Sequence, residues 1–195
     1  MKQYLRATEI IDYHDERVAA LASELSDGCS DEVAIVHRCF EYVRDHIRHT
    51  GDYRESVGTC KASEVLLHKT GWCYAKSHLL AALLRANGIP AGFGYQRLSC
   101  SEYLPDTYCL HGLNWVYLSA YGWYRIDPRG NKEGVDAAFD PPREKLAFIP
   151  QEGEYDLEGN FPDPLEVVLD ALRTYRGYEA MVGHFPDING VAVKS

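Results

Sequence analysis

The 195-residue chain has no apolar stretch approaching the roughly 18 to 20 residues that cross a bilayer, so no membrane-spanning helix is expected. Its six cysteines (Cys29, Cys39, Cys60, Cys73, Cys100 and Cys109) include no Cys-x-x-Cys pair, which argues against a zinc ribbon and a thioredoxin motif. It has no run of lysine and arginine. Twenty basic against 29 acidic residues leave a formal net charge of −9, the wrong sign for a nucleic-acid footprint. Internal repeats and low-complexity segments are absent, and no acidic loop has the spacing of a calcium site, so no metal or cofactor is implied. The first 21 residues, MKQYLRATEIIDYHDERVAAL, lack the apolar region of a signal peptide. The expected compartment is therefore the cytoplasm, where thiols stay reduced and most cysteines serve as small buried residues.

What remains is an ordinary globular composition, 46% apolar and 25% charged, long enough for one domain over 1–195 with a real core. Helical spacing covers Asp12 to Leu25, with Val18, Leu21, Ala22 and Leu25 on one face. Ser30 offers an N-cap for a second helix carrying Val36, Phe40, Val43 and Ile47. The polar stretch HTGDYRESVGTC reads as loop, and KASEVLLHK as a short helix. A third long helix follows Cys73 and stops at Asn87-Gly88, with an apolar stripe wide enough to be enclosed on most sides. AGFGYQRL reads as a strand despite its two glycines, and HGLNWVYL and WYRID as a hairpin around SAYG. Residues 128–164 read as ordered loop, and Asp163-Pro164 as the start of a closing helix with Leu165, Val168, Leu169 and Leu172. Helices first, then an antiparallel sheet, then a helix make the fold class α+β.

Cys73 sits at the start of a helix, where outward-pointing amides and the helix dipole stabilise a thiolate and could also bind an oxyanion. A working thiol needs a base and a group to orient that base. His37, His46 and His49 lie along or just past the second helix, and His14, His68 and His184 in polar surroundings. His78 rides on the Cys73 helix, where it could touch the site or simply pack. His111 opens a strand, and Asp127 ends the strand that returns beside it. Direct opposition of 111 and 127 centres the turn on Ser119, earlier than the turn-like residues 119–122, so a bulge or asymmetric loop is expected.

Three segments together resemble the transglutaminase-like superfamily of papain-type thiol enzymes, over about residues 33–130. KASEVLLHKTGWCYAKSHLLAALLRANGIPA is similar to that family's S-x-E-V-L…G-x-C…L-L-R-A-x-G-I-P-A pattern, HGLNWVYL to its H-x-W-x-E-V-Y strand, and GWYRIDP to its G-W-x-x-x-D-P. The resemblance implies a nucleophile-bearing helix packed on an antiparallel sheet, with Cys73 as nucleophile, His111 as base and Asp127 as orienting acid. Residues 131–195 would then form a C-terminal extension wrapping that core. Leu113 stands where the family has tryptophan, and Trp115 where it often has an acid. It also implies acyl transfer through a Cys73 thioester on a peptide or small amide, with hydrolysis favoured. Transfer to an amine, as in a transglutaminase proper, and a non-catalytic binding or scaffold domain are the alternatives. Trp72, Trp115 and Trp123 are candidates for the substrate cleft or oxyanion hole, and Tyr95 for the cleft. No glutamine lies just before Cys73 to act as a side-chain oxyanion donor. Trp72, Tyr53 and His49 are the candidates for that role, beside the Cys73 backbone amide.

Overall fold

The computed structural model describes residues 1–100 and 102–188. After a single 3-10 turn (Lys2–Tyr4) come two amphipathic helices, α1 (Glu16–Ser26) and α2 (Glu32–His46), and each starts on an aspartate. Asp15 accepts from the amides of Arg17 and Val18, and Asp31 from that of Ala34, which satisfies donors the first turn cannot satisfy itself. Both starts differ from the sequence reading. Asp12 is held outside α1 by Ser63, whose amide and hydroxyl donate to its carboxylate. Ser30 yields the cap of α2 to Asp31, the stronger acceptor, and donates its own hydroxyl to that carboxylate at 3.0 Å.

The stretch read as loop after residue 48 holds two short elements. β1 (Arg48–His49) pairs in parallel with β2 (Thr70–Gly71), setting His49 beside Gly71, and α3 (Thr50–Tyr53) follows directly. Between them runs α4 (Ala62–His68), whose Glu64 folds back to accept from the amides of Cys60 and Lys61.

Helix α5 (Cys73–Ala86) is the centre of the fold, and every residue from Cys73 to Arg85 is buried. Leu79, Leu80, Leu83 and Leu84 are fully covered, each worth roughly 2 kcal/mol relative to exposure. The helix ends where Gly88 takes φ +73°. The amides of Gly88 and Ile89 then return to the carbonyls of Arg85 and Leu84 at 3.0 Å. Lys76 is buried too, its ammonium donating to the carbonyls of Arg44 and Ile47. It thereby ties the C-terminal end of α2, and the start of β1, to the Cys73 helix.

On the other side of α5 lies an antiparallel sheet in the order β5-β4-β3-β8. Its strands are β3 (Ala91–Ser99), β4 (Tyr108–Leu118), β5 (Gly122–Ile126) and β8 (Tyr155–Asp156). Gly92 suits a strand because residues 160–161 cross it, and a Cβ there would fall 2.0 Å from Asn160 Oδ1. The β4–β5 hairpin keeps an unbroken register from Asn114–Ile126 to Leu118–Gly122. Asp127 therefore continues opposite Leu113 and meets His111 on the diagonal, so the expected bulge is not needed. Helices gathered on one face of an antiparallel sheet make the fold α+β.

Residues read as loop before the last helix also contain a hairpin, β6 (Ala138–Asp140) with β7 (Arg143–Lys145), besides the edge strand β8. The chain then forms α6 (Glu166–Thr174) and α7 (Gly177–Met181). Leu165, not Asp163, precedes the first turn of α6, because the Asp163 carboxylate is paired with Arg6. Cys39 and Cys60 are buried thiols and Cys29 is half-buried. Cys100 and Cys109 depart from the expected free thiols and are joined in a disulfide.

Candidate active site

Cys73 is the first residue of α5, and its N-cap, Trp72, places no side-chain acceptor on the first-turn amides. β4 passes close over this helix end because residue 112 is glycine; a Cβ there would lie 3.0 Å from the Tyr74 ring. The approach lets the Gly112 amide donate to the Cys73 sulfur at 3.4 Å. His111, the neighbouring residue, turns Nε2 to Asp127 Oδ2 at 2.7 Å, which leaves Nδ1 for the thiol. Asp127 is fully buried, and its carboxylate also accepts from the amides of Arg129 and Ala147, both at 3.1 Å. Phe148 meets the His111 ring edge-on at 4.9 Å.

The electrostatics follow from this packing. Burial alone would push the Cys73 thiol up, but the charge and hydrogen bond of His111, with those of His49, bring it from 9.0 down to about 6. Burial would likewise lower His111, yet the Asp127 carboxylate and the Cys73 sulfur raise it to about 10. Asp127 is held below its ordinary value: burial opposes this, and His111 and the two amides outweigh it. The two shifts run in opposite directions, the thiol down and the imidazole up, which favours the thiolate–imidazolium form of the pair.

A second imidazole faces the same sulfur. His49, only 6% exposed, lines the same cavity as Cys73, is one of the two histidines that lower its thiol, and turns Nδ1 toward Asp52 Oδ2 at 3.7 Å. Asp52 accepts two bonds from the Arg129 guanidinium, at 2.7 and 2.8 Å, and one from Lys132 at 2.9 Å. Burial would raise its carboxyl, but His49 and those two partners outweigh it and hold it well below the usual range. Arg129 also gives its backbone amide to Asp127, so one residue touches the carboxylates behind both histidines. Sequence reasoning missed Asp52, Arg129 and Lys132. The only signal was the arginine directly after the Asp-Pro motif.

Cys73, both histidines and Arg129 line a cavity of about 480 Å³. Trp72 lines it as well, boxed by His49, Tyr103 and Phe185 at ring distances of 5.4, 6.1 and 5.2 Å. The other aromatic candidates lie elsewhere. Trp115 is covered by Arg125 on the sheet, and Trp123 packs between Tyr4 and Tyr117, neither in the cavity, because their strand positions lie toward the far end of the hairpin. Tyr53 is 64% exposed, and the Tyr95 hydroxyl is a core acceptor for the Leu165 amide. His78 packs: it reaches the Cys60 carbonyl at 2.7 Å and meets Phe93 edge-on.

Residues 19–128 match the family described as the transglutaminase-like superfamily. None of the curated proteins matches the chain. Among solved structures, a candidate cysteine protease from Cytophaga hutchinsonii is similar at 17% identity and a TM-score of 0.52, over 65% of this chain and 40% of that one. The periplasmic domain of TgpA from Pseudomonas aeruginosa is similar at 22% identity and a TM-score of 0.47, over 64% of this chain and 45% of that one. The chain thus spans less than half the length of either neighbour, and the first likeness is one of fold. With the match covering more than half of its residues, including Cys73, His111 and Asp127, this chain belongs to the transglutaminase-like superfamily.

Proposed function

We propose that the chain is a cysteine-dependent acyl-transfer enzyme that hydrolyses a peptide or small amide. The observation that carries this reading is the Cys73–His111 pair, ionised by its surroundings, braced by Asp127 at 2.7 Å and open to the cavity. The Cys73 thiolate attacks the amide carbonyl carbon, forming the C–S bond and placing the carbonyl electron pair on oxygen. As the carbonyl re-forms, the His111 imidazolium protonates the departing nitrogen and the C–N bond breaks, leaving a thioester and a free amine. His111, now neutral, takes a proton from water, which attacks the thioester. The C–S bond breaks, the acid leaves, and thiolate and imidazolium are restored. The Cys73 amide at the start of α5 supports the oxyanion in both halves.

The test is incubation with a library of peptide amides and activated aminoacyl esters, followed by mass spectrometry. The expected result is one acyl group on Cys73, absent in Cys73→Ala, that disappears in water. A trapped acyl group released only by an added amine would make the enzyme an acyltransferase. A chain that never acylates across broad chemotypes would leave the scaffold reading in its place.

A further inference from the structure

We infer that His49 is a further catalytic residue: a ring N–H of this side chain supplies the side-chain donor of the oxyanion hole. This rests on the acyl-transfer reading above. The Cys73 amide is one donor, and a tetrahedral oxyanion is best held by two that are fixed in advance. Three side chains were candidates from the sequence. Tyr53 is 64% exposed and outside the cavity. Trp72 Nε1 and His49 Nδ1 are both buried without a hydrogen-bond partner, but Trp72 is boxed by aromatic rings, whereas His49 faces a carboxylate. His49 is oriented from three directions. The β1–β2 pairing sets it beside Gly71, two residues before the nucleophile. Lys76, on the nucleophile's own helix, grips the Ile47 carbonyl two residues ahead of it. Asp52, clamped by Arg129 and Lys132, faces its Nδ1 at 3.7 Å.

At 3.7 Å from Asp52, Nδ1 faces the carboxylate without a hydrogen bond, so no bond holds the ring's proton on that side. With a proton on Nε2 the ring can donate to the oxygen as negative charge builds on it. His111 moves the proton in each half-reaction, and His49 keeps its own. Asp52 and Arg129 are positioning residues that act through His49.

Two reagents at one pH separate this role from simple support of the thiolate. Iodoacetamide reacts by displacement at a saturated carbon and builds no oxyanion, whereas a p-nitrophenyl ester must pass through one. At pH 7, His49→Ala is expected to slow Cys73 acylation about 10²- to 10³-fold. Alkylation should slow less than about tenfold, the share that reports thiolate formation. His49→Gln, which keeps an uncharged N–H donor, should recover at least part of acylation, and Trp72→Phe should leave it within a few-fold. Near-native circular dichroism and melting confirm that each variant folds. Equal losses in both reactions, or an acylation-specific loss in Trp72→Phe instead, would overturn the assignment. A wild-type chain that alkylates but never acylates sinks the acyl-transfer reading and this one together. A wild type that acylates, with His49→Ala matching it, sinks this one alone.

Discussion

The pH dependence of Cys73 alkylation tests the electrostatics most directly, because the perturbation is a proton and burial opposes the two histidines. The packing brings this thiol to about 6, against about 8.5 for an unstructured cysteine. At pH 6 about half of Cys73 is then thiolate, compared with about 0.3% of the reference thiol, an excess of about 160-fold. A less basic thiolate is a poorer nucleophile, and a Brønsted slope of about 0.4–0.5 over about 2.5 pH units gives back roughly 10- to 18-fold. Cys73 should therefore react about tenfold faster than the reference at pH 6, and the two rates should cross between about pH 7 and 7.5. By pH 9 the order inverts, with Cys73 roughly tenfold slower. The assay is iodoacetamide labelling from pH 5 to 9.5, with peptide mass spectrometry on Cys73 and a cysteine peptide in the same tube. A Cys73 midpoint above about pH 8, or curves that never cross, would refute the claim that His111 and His49 outweigh burial. His111→Gln should move the midpoint upward, because it removes the charge that most opposes desolvation.

Three further outcomes follow from other parts of the fold. Asp127→Asn should cut ester turnover by about 10²- to 10⁴-fold and also lower the melting temperature, since the buried carboxylate sets the His111 tautomer and is its buried counter-charge; steady-state kinetics and thermal melts decide it. Burial holds His78 down to about 4, so between pH 6.5 and 4 the unfolded chain binds a proton that the native chain refuses, and stability falls as pH falls through that window. The loss is on the order of a few kcal/mol, and urea melts at pH 7 and 4.5 should show a smaller decline in His78→Gln. Phe185 closes one wall of the cavity against Trp72 and Tyr103, so Phe185→Ala should speed Cys73 labelling by a bulky maleimide several-fold while iodoacetamide labelling stays nearly unchanged.

Local pattern carried the parts of this protein that depend on neighbours in sequence. The enclosed helix behind Cys73, its stop at Asn87-Gly88 and the β4–β5 hairpin were legible because periodicity and glycine placement act within a few residues. Cys73, His111 and Asp127 were legible from their surroundings rather than from their spacing. The register that joins the last two needed the structure, since a diagonal contact and a direct one predict different turns. Asp52 and Arg129 stand 77 residues apart, and no periodicity relates a two-residue parallel bridge to a residue beyond an Asp-Pro turn. The Cys100–Cys109 bond was hidden for the converse reason: nine residues apart, with no motif, the two sulfurs meet only because the chain turns between β3 and β4.

Arg129 has a consequence for anyone who would move this chemistry to another scaffold. A transplant of Cys73, His111 and Asp127 copies every residue expected to exchange a bond or a proton, yet omits the guanidinium that clamps Asp52 and the amide that steadies Asp127. Such a graft would carry the thiol with only one of the two imidazoles that face it, and that one braced by a carboxylate without its Arg129 amide. The smallest portable unit is therefore four discontinuous pieces: 49–52, 72–76, 111–112 and 127–129. The piece that touches no reacting atom is the one most easily left behind.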